Sequence, residues 1–254
     1  MITHHPTAPD LRGRTALVTG ATRGVGLAVA RKLSACGADV LAGYAHDEEN
    51  AAAAMRSLAH LPGRVTAFRA DVTEELEALL AEARRLFGGL DIFVHNTSYF
   101  RPGPTLGADL TAAERAHAVA VRPLLAGAPA IAELMAGRPG RIIAVSSEGA
   151  RKVVPRYAGA GVAKAALEAL VRYLAVELAG RGIAVNAVSA AKLDKGDGSV
   201  PPEVAKAIAG RTPGGRLTTP EDLADVVALL CTNEAAWLQG QVLTADGGLG
   251  LVAG

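Results

Sequence analysis

The stretch TALVTGATRGVGLAVARKLSA, Thr15 to Ala35, decides the fold. Its apolar start, Thr15 to Thr19, has the length and β-branched content of a buried strand. A glycine-rich turn from Gly20 to Gly26 follows, and then a helical apolar pattern, Leu27 to Ala35, which Gly37 ends. Glycines in such a turn let the backbone approach a pyrophosphate, which the positive end of the helix attracts. The stretch therefore predicts a dinucleotide-binding strand–turn–helix unit.

Strand and helix patterns continue to alternate along the rest of the chain. Further strands are predicted at Asp39 to Gly43, Arg64 to Ala70, Asp91 to Val94, Arg141 to Val145, Ile183 to Val188 and Gln241 to Thr244. Helices are predicted at Ala51 to Leu61, Glu74 to Phe87, Leu110 to Met135 with breaks around Pro123 and Pro129, the region through Lys164 to Leu178, and Thr219 to Cys231. This alternation predicts the α/β class, with one doubly wound parallel sheet of Rossmann type and helices on both faces.

Length and composition favour one domain rather than two. The chain has 254 residues, of which 50% are hydrophobic, and this is enough for a single large core. We expect residues 1–10 to form a disordered leader and residues 11–254 to form the domain. The segment at about 192–212 carries glycine and proline around a short helical pattern, and we expect a mobile flap there.

Charge and cysteine content exclude several classes of protein. The net charge of +1 gives no reason to expect a nucleic-acid partner. No apolar run reaches the roughly 18 residues of a membrane span, and the leader lacks the apolar core of a signal peptide. Cys36 and Cys231 stand in apolar helical patterns typical of reduced, buried thiols, and no metal-ligand spacing is present. We therefore expect a cytoplasmic protein without a metal ion.

A serine, a tyrosine and a lysine follow the predicted strand Arg141 to Val145. Ser147 stands at the strand end, Tyr157 near the start of a long helical pattern, and Lys164 inside that pattern. Seven residues rotate a helix by about 700°, which leaves an offset of roughly 20°, so Tyr157 and Lys164 share one face. A phenol titrates near about pH 10, and a nearby ammonium lowers its pKa. The three residues therefore suit catalysis at an oxygen that gains negative charge.

These motifs resemble those of the short-chain dehydrogenase/reductases. The pattern Thr-Gly-x3-Gly-x-Gly, the serine–tyrosine–lysine series and the terminal Asp246-Gly247-Gly248 all match that family. Most members place the tyrosine four residues before the lysine, where this chain has Ala160. The Tyr-x6-Lys spacing, the Val-His pair ending at His95 and Pro155-x-Tyr157 resemble the enoyl-acyl-carrier-protein reductase branch. The wider spacing moves the phenol about 4.5 Å along the helix, which suits a proton acceptor displaced from the hydride-receiving carbon.

The resemblance implies an NAD(P)-binding site along the carboxyl ends of the strands. The implied cofactor contacts are Gly20, Thr22, Arg23, Gly24, Val25, Gly26, His46, Asp71, Val72, Asn96, Lys164 and Lys195. NADP(H) is the preferred form, because no acid stands at the end of the second strand, and Arg23 and His46 could face a 2′-phosphate. The alternative is that Asp47 selects NAD. Asp71 could also simply cap the next helix.

Several positions depart from the family pattern. Ser98 replaces a glycine close to the cofactor, and Val119 or Ala120 stands where many relatives carry an asparagine that holds a relay water. Lys195 falls where a threonine usually bonds the nicotinamide carboxamide, and it could instead meet an anionic group or be solvated. For His95, packing at the strand end is favoured over catalysis. A complete four-residue apparatus for ketone reduction is therefore not expected.

The resemblance and these departures lead to three hypotheses. The first is an NADPH-dependent enoyl reductase that acts on an α,β-unsaturated thioester. The basic residues Arg151, Lys152 and Arg156 would suit the phosphate of a carrier protein or of coenzyme A, although a solvated basic loop is an equal alternative. The second is a ketoreductase that tailors a polyketide or other secondary metabolite, and the third is a Rossmann binding protein that has lost catalysis. In relatives the C-terminal tail packs at a subunit interface, so a homotetramer is expected.

Overall fold

A computed structural model describes residues 9–252, so residues 1–8 of the predicted leader lie outside the described residues. Within this range the chain forms one seven-stranded parallel sheet in the order β3-β2-β1-β4-β5-β6-β7. The strands are β1 (Thr15–Thr19), β2 (Asp39–Tyr44), β3 (Val65–Arg69), β4 (Ile92–His95), β5 (Arg141–Val145), β6 (Ala184–Ser189) and β7 (Val242–Thr244). The predicted α/β fold with a doubly wound parallel sheet is confirmed.

Helices connect successive strands and cover the sheet. They are α1 (Gly24–Ala35), α2 (Glu48–Leu58), α3 (Leu76–Phe87), α4 (Leu110–Leu134), α5 (Ala158–Ala179), α6 (Pro202–Arg211) and α7 (Pro220–Leu230). Alternate residues of the central strands point to opposite faces, so that Leu17 and Val18 of β1 belong to two separate cores. One core packs against α1 and α7, and the other packs against α3, α4 and α5. This arrangement fixes α5 over the carboxyl end of β5.

The predicted breaks in α4 are wrong, because α4 is one helix of 25 residues that contains both prolines. A helical proline leaves the carbonyl four residues earlier without its N–H partner. Pro123 leaves the Val119 carbonyl, and the imidazole of His95 lies 3.1 Å from this oxygen. Pro129 leaves the carbonyl of Leu125, a residue that is 61% exposed and lies on the outer side of the helix. The Val119 carbonyl therefore has a substitute partner, and the helix continues through both prolines.

Several other boundaries differ from the prediction by a few residues. Helix α1 begins at Gly24 rather than Leu27, because the second half of the glycine turn forms the first helical turn. Helix α2 begins at Glu48 because Asp47 caps it, accepting from the Asn50 backbone N–H at 3.0 Å. The predicted cap of α7 is present as a capping box built on Thr219. None of the helices within residues 9–252 is long and apolar enough to cross a membrane.

Candidate active site

The glycine turn between β1 and α1 has a backbone that other residues would strain or block. Gly20 and Gly24 have φ angles of 64° and 52°, in the left-handed region. A Cβ at Gly26 would lie 2.1 Å from the Gly20 carbonyl oxygen. Arg23, at the N-cap of α1, makes no side-chain cap hydrogen bond, which leaves the first N–H groups of the helix to a ligand. These features fit the pyrophosphate of a dinucleotide.

Asn96 braces this turn from the neighbouring strand. Its side-chain amide donates to the carbonyls of Thr19 and Gly20, at 3.0 and 3.1 Å. The Thr19 hydroxyl in turn accepts from the backbone N–H groups of Asn96 and Thr97, at 3.0 and 3.1 Å. Asn96, predicted as a cofactor contact, therefore holds the shape of the glycine turn.

Charged residues collect at the end of the site where an adenosine would lie. Arg23 and His46 are both exposed. Hydrogen bonds from Asn50, with a contribution from Arg23, lower the pKa of Asp47. Both carboxylate oxygens of Asp47 bond Asn50, in the cap of α2. Asp47 therefore has a structural role as the cap of α2.

Asp71 and Val72 follow β3 at the same edge of the sheet. Asp71 accepts from the backbone N–H and the hydroxyl of Thr73, at 2.9 and 2.6 Å, and these bonds lower its pKa. It does not cap α3, whose N-cap residue is Glu75. The Asp71 carboxylate therefore forms a local turn, and Val72 beside it is buried.

Ser147 and Tyr157 lie together around Gly149. A Cβ placed on Gly149 would lie 2.5 Å from Cδ1 of the Tyr157 ring and 3.7 Å from the Ser147 hydroxyl oxygen. Gly149 therefore leaves the room that the phenol ring occupies. Phe100 covers another side of this ring, with centroids 4.9 Å apart and the planes tilted by 46°. Tyr157 occupies the N-cap position of α5, where the sequence predicted it.

Lys164 lies on α5 and is buried, with 4% of its surface exposed. Its Nζ donates to the carbonyl of Val145, the last residue of β5, at 2.6 Å. Burial lowers the pKa of Lys164 to about 8, because the low-dielectric interior disfavours the ammonium. The lysine thus reaches the strand end that Ser147 follows. Among the described residues no direct hydrogen bond joins Ser147, Tyr157 and Lys164 to one another.

The basic residues before Tyr157 differ in their contacts. Arg151 donates to the buried carboxylate of Glu168 at 2.9 Å, and Lys152 donates to the carbonyl of Gly250 at 3.3 Å. The third residue, Arg156, is exposed, and its φ of 61° is unusual for a residue with a side chain. Its carbonyl accepts from Gly103 N–H at 3.1 Å. Arg156 is therefore better placed than the other two to meet an anionic substrate.

Lys195 is exposed in the segment between β6 and α6, where it contributes to lowering the pKa of Asp197. Ser98 is also exposed. Within residues 9–252, no group of three or more histidine, cysteine or acidic side chains could hold a metal ion.

Two residues that contribute to the site, Phe100 and Glu168, were not predicted from the sequence. Phe100 lies 57 residues before Tyr157 in the sequence, and its ring packs against the phenol. The sequence shows only an aromatic residue after β4, which does not predict this contact. Glu168, one helical turn beyond Lys164, accepts from Ser146 at 2.7 Å as well as from Arg151. It thereby ties the segment around Ser147 to α5. The sequence did contain a clue to Glu168, because an acidic residue within the apolar pattern of a helix is expected to be buried only when it has a partner.

The arrangement can bind a dinucleotide and act on an oxygen beside it. The glycine turn lies at the end of β1, Asn96 follows β4, and Ser147, Tyr157 and Lys164 follow β5. Because β1, β4 and β5 are adjacent and parallel, these groups share one edge of the sheet. The site thus combines a phosphate cradle, a hydroxyl, a phenol and a buried ammonium.

Comparisons with known proteins agree with this geometry. A family model described as Enoyl-(Acyl carrier protein) reductase matches residues 20–250. The chain is 36% identical over 261 residues to 1-cyclohexenylcarbonyl-CoA reductase of Streptomyces collinus, covering 98% of this chain and 91% of that protein. It is 33% identical to 3beta-hydroxysteroid dehydrogenase 1 of Eggerthella lenta, covering 96% of this chain and 97% of that one.

A solved structure extends this similarity to a cofactor complex. A 7 alpha-hydroxysteroid dehydrogenase complexed with NADH and 7-oxo glycochenodeoxycholic acid has a TM-score of 0.88 and is 28% identical. The match covers 95% of this chain and 96% of the other. The chain belongs to the short-chain dehydrogenase/reductase superfamily and is an NAD(P)-dependent oxidoreductase of that type.

Proposed function

We propose that this protein reduces the carbon–carbon double bond of an α,β-unsaturated thioester, with NADPH as the hydride donor. The observation that carries the proposal is the position of the phenol. Ala160 stands four residues before Lys164, and Tyr157, seven residues before it, packs beside Ser147. The phenol therefore approaches from farther along α5, as an oxygen displaced from the hydride-accepting carbon requires.

The proposed roles follow from these positions. A bound NADPH would supply the hydride that the β-carbon of the substrate accepts. The double-bond electrons then move toward the thioester oxygen, and Tyr157 and Ser147 stabilise the resulting enolate by donating hydrogen bonds. Lys164 holds a positive charge behind the phenol, which favours negative charge at that oxygen. A proton from solvent would then add to the α-carbon of the enolate and give the saturated thioester.

The matching family model and the relative from Streptomyces collinus support an enoyl thioester substrate. The name of that relative specifies a cyclohexenyl ring joined to a coenzyme A thioester. The exposed Arg156 next to Tyr157 supports an anionic carrier, either coenzyme A or the phosphopantetheine arm of a carrier protein.

The proposed preference for NADPH rests on the charges around the adenosine end. Arg23 and His46 are exposed there, and both oxygens of Asp47 are bonded to Asn50. A guanidinium suits a 2′-phosphate, and Arg23 is near enough to Asp47 to contribute to lowering its pKa, so the positive charge of Arg23 offsets the negative charge of the capping carboxylate. Tighter binding of NADH than of NADPH would reject this choice.

The function is tested by offering the enzyme three thioesters, two with a carbon–carbon double bond to reduce and one with a ketone. We expect NADPH oxidation with crotonyl-CoA, and faster oxidation with 1-cyclohexenylcarbonyl-CoA, against little with acetoacetyl-CoA. The controls omit either enzyme or thioester. Turnover of acetoacetyl-CoA alone would replace the proposal with ketone reduction.

A second candidate is the oxidation or reduction of a ring alcohol or ketone. The specific observation in its favour is the set of dehydrogenases among the relatives. These include the hydroxysteroid dehydrogenase from Eggerthella lenta and a cis-4-hydroxycyclohexanecarboxylate dehydrogenase from Sinomonas cyclohexanicum, which is 35% identical. Its substrate would place the oxygen on the carbon that exchanges the hydride, so Tyr157 would have to reach closer to the nicotinamide.

We further propose a homotetramer. Apolar residues are exposed on the outer faces of α4 and α5, where Leu125 is 61%, Val162 69% and Val176 82% exposed. Such a surface is typical of a contact between subunits. Light scattering on the purified protein tests the tetramer, and a monomer at micromolar concentration would reject it.

A cytoplasmic location is proposed from Cys36 and Cys231, both of which are buried and unpaired within the described residues.

A further inference from the structure

His95 ends β4 and is fully buried, and both of its ring nitrogens have partners. Nε2 lies 3.1 Å from the carbonyl oxygen of Val119 and 3.1 Å from that of Ala120, both on α4. Nδ1 lies 3.4 Å from the hydroxyl oxygen of Thr19, at the end of β1. The imidazole therefore joins the helix beside the candidate site to the strand that leads into the glycine turn.

These partners determine which nitrogen carries the proton. Carbonyl oxygens only accept, so Nε2 must be protonated to bond Val119 and Ala120. The Thr19 hydroxyl already accepts from two backbone N–H groups, which leaves its own proton to donate to Nδ1. His95 is therefore the neutral Nε2–H tautomer. Burial and the nearby charge of Lys164 agree with this, because they lower the pKa of His95 to about 4.

One of the two helix carbonyls depends on this donor more than the other. Ala120 retains the N–H of Leu124 as its helical partner, whereas Val119 faces Pro123, which has no N–H. The Nε2–H group of His95 therefore occupies the role of the hydrogen-bond donor that Pro123 lacks. Without it, the Val119 carbonyl would lose its partner in the middle of α4.

The same part of α4 packs directly against the residue next to Lys164. Ala116, Ala120 and Val121 form a small cluster with Ala163. At the start of α5, a Cβ on Gly159 would lie 3.3 Å from the Cα of Ala113, so the two backbones are close. Movement of α4 would therefore displace the helix that carries Lys164.

We propose that His95 is a positioning residue, which acts through α4 by replacing the hydrogen bond that Pro123 removes and so holds the Lys164 segment of α5 in place. His95 touches neither substrate nor cofactor in this role. The proposal concerns whichever substrate the enzyme reduces, so it stands or falls separately from the enoyl assignment.

The test is a double-mutant cycle between His95 and Pro123. His95→Leu removes the donor and keeps an apolar side chain of similar size, and we expect kcat to fall about tenfold, because a shift of α4 by a fraction of an ångström would misplace the Lys164 segment. The KM for NADPH should change less than about twofold, because Thr19 still accepts from Asn96 and Thr97. His95→Gln restores an N–H at the position of Nε2 and should recover most of the rate.

Pro123→Ala restores a helical N–H to Val119. In the double variant kcat should return to within about threefold of Pro123→Ala alone, since the carbonyl no longer needs the imidazole. His117→Leu, on the exposed side of α4, is the matched control and should leave kcat unchanged. The assay uses crotonyl-CoA or acetoacetyl-CoA, whichever turns over.

Two readouts do not depend on activity. Nitrogen-15 NMR should show pyrrole-type Nε2 and pyridine-type Nδ1 for His95 at neutral pH. Urea unfolding should show the same rescue by Pro123→Ala as kcat does. The proposal would be overturned if His95→Leu lowered kcat and stability as much in Pro123→Ala as in the parent enzyme. An Nδ1–H tautomer or a cationic imidazole at His95 would also overturn it.

Discussion

The two halves of the candidate site are held in different ways. Around the glycine turn, Thr19 and Asn96 are joined by two hydrogen bonds of 3.0 Å, and Gly26 has no room for even a methyl group. Around Tyr157 the contacts are looser and more exposed. Phe100, which stacks on the phenol, is 51% exposed, and the preceding Arg156 has a left-handed backbone conformation.

This difference separates what is common to a cofactor class from what selects a substrate. A pyrophosphate always presents the same shape, so the turn that binds it can be rigid, and few residue types fit its positions. A substrate pocket must fit one molecule among many, and its walls come from half-exposed side chains on loops. Variants in the two halves should therefore fail in different ways, and the following predictions test this in order of decreasing effect.

The largest effect is expected for Tyr157→Phe. Losing the hydroxyl should lower kcat by about a thousandfold, at the upper end of the loss seen when one donor to a developing oxyanion is removed, while the Kd for NADPH stays within about twofold. Tyr173→Phe is the matched control, because Tyr173 lies on the same helix and is 77% exposed. Steady-state kinetics and NADPH fluorescence titration measure the two quantities. Unchanged kcat would remove Tyr157 from the mechanism.

Gly26→Ala should produce the opposite pattern. The new methyl group would have to displace the Gly20 carbonyl, and a displacement of about 1 Å should weaken NADPH binding by about a hundredfold. Gly180→Ala adds a methyl group where nothing lies within 4 Å, and should leave binding unchanged. Titration calorimetry with NADPH compares the two variants. Equal affinities would show that the turn is not the phosphate cradle.

Lys164 should give the site a pH dependence. Its pKa of about 8 lies below the ordinary 10.5, so the ammonium is present below about pH 8 and is lost as the pH rises through that value. We expect kcat/KM to fall about tenfold per pH unit above this point. In Lys164→Arg the charge persists, so the alkaline fall should disappear even though the rate is lower. A fall that remains at the same pH in that variant would assign it to another group.

The smallest effect is expected at the substrate rim. Arg156→Ala should lower kcat/KM for crotonyl-CoA about fivefold, the contribution of one exposed ion pair of about 1 kcal/mol. The N-acetylcysteamine thioester of crotonate lacks the phosphates and should react equally well with both enzymes. Arg156→Lys retains the positive charge and should therefore keep most of the preference for crotonyl-CoA over the N-acetylcysteamine thioester. Equal losses on both thioesters would assign Arg156 a backbone role instead.

The sequence predicted the sheet and the glycine turn well because their signals are local. Each strand is a short apolar run, and the glycines fall directly between β1 and α1. The course of α4 was not predictable, because the group that compensates for Pro123 is His95, far away along the chain. The surroundings of Tyr157 were missed for the same reason, since Phe100 meets it only through the fold. Likewise, the sequence suggested that Arg151 could meet an anionic substrate, as Lys152 and Arg156 could. Its ion pair with Glu168 forms only because α5 packs beside it, so this pairing was not predictable.

The position of the transferred hydride tests the central claim most directly. The enzyme would be supplied with NADPH deuterated at the transferred position and with crotonyl-CoA, and the product analysed by NMR. We expect butyryl-CoA with deuterium on the β-carbon, because Tyr157 acts on an oxygen displaced from the carbon that accepts the hydride. Deuterium on a carbinol carbon, with the double bond intact, would contradict it.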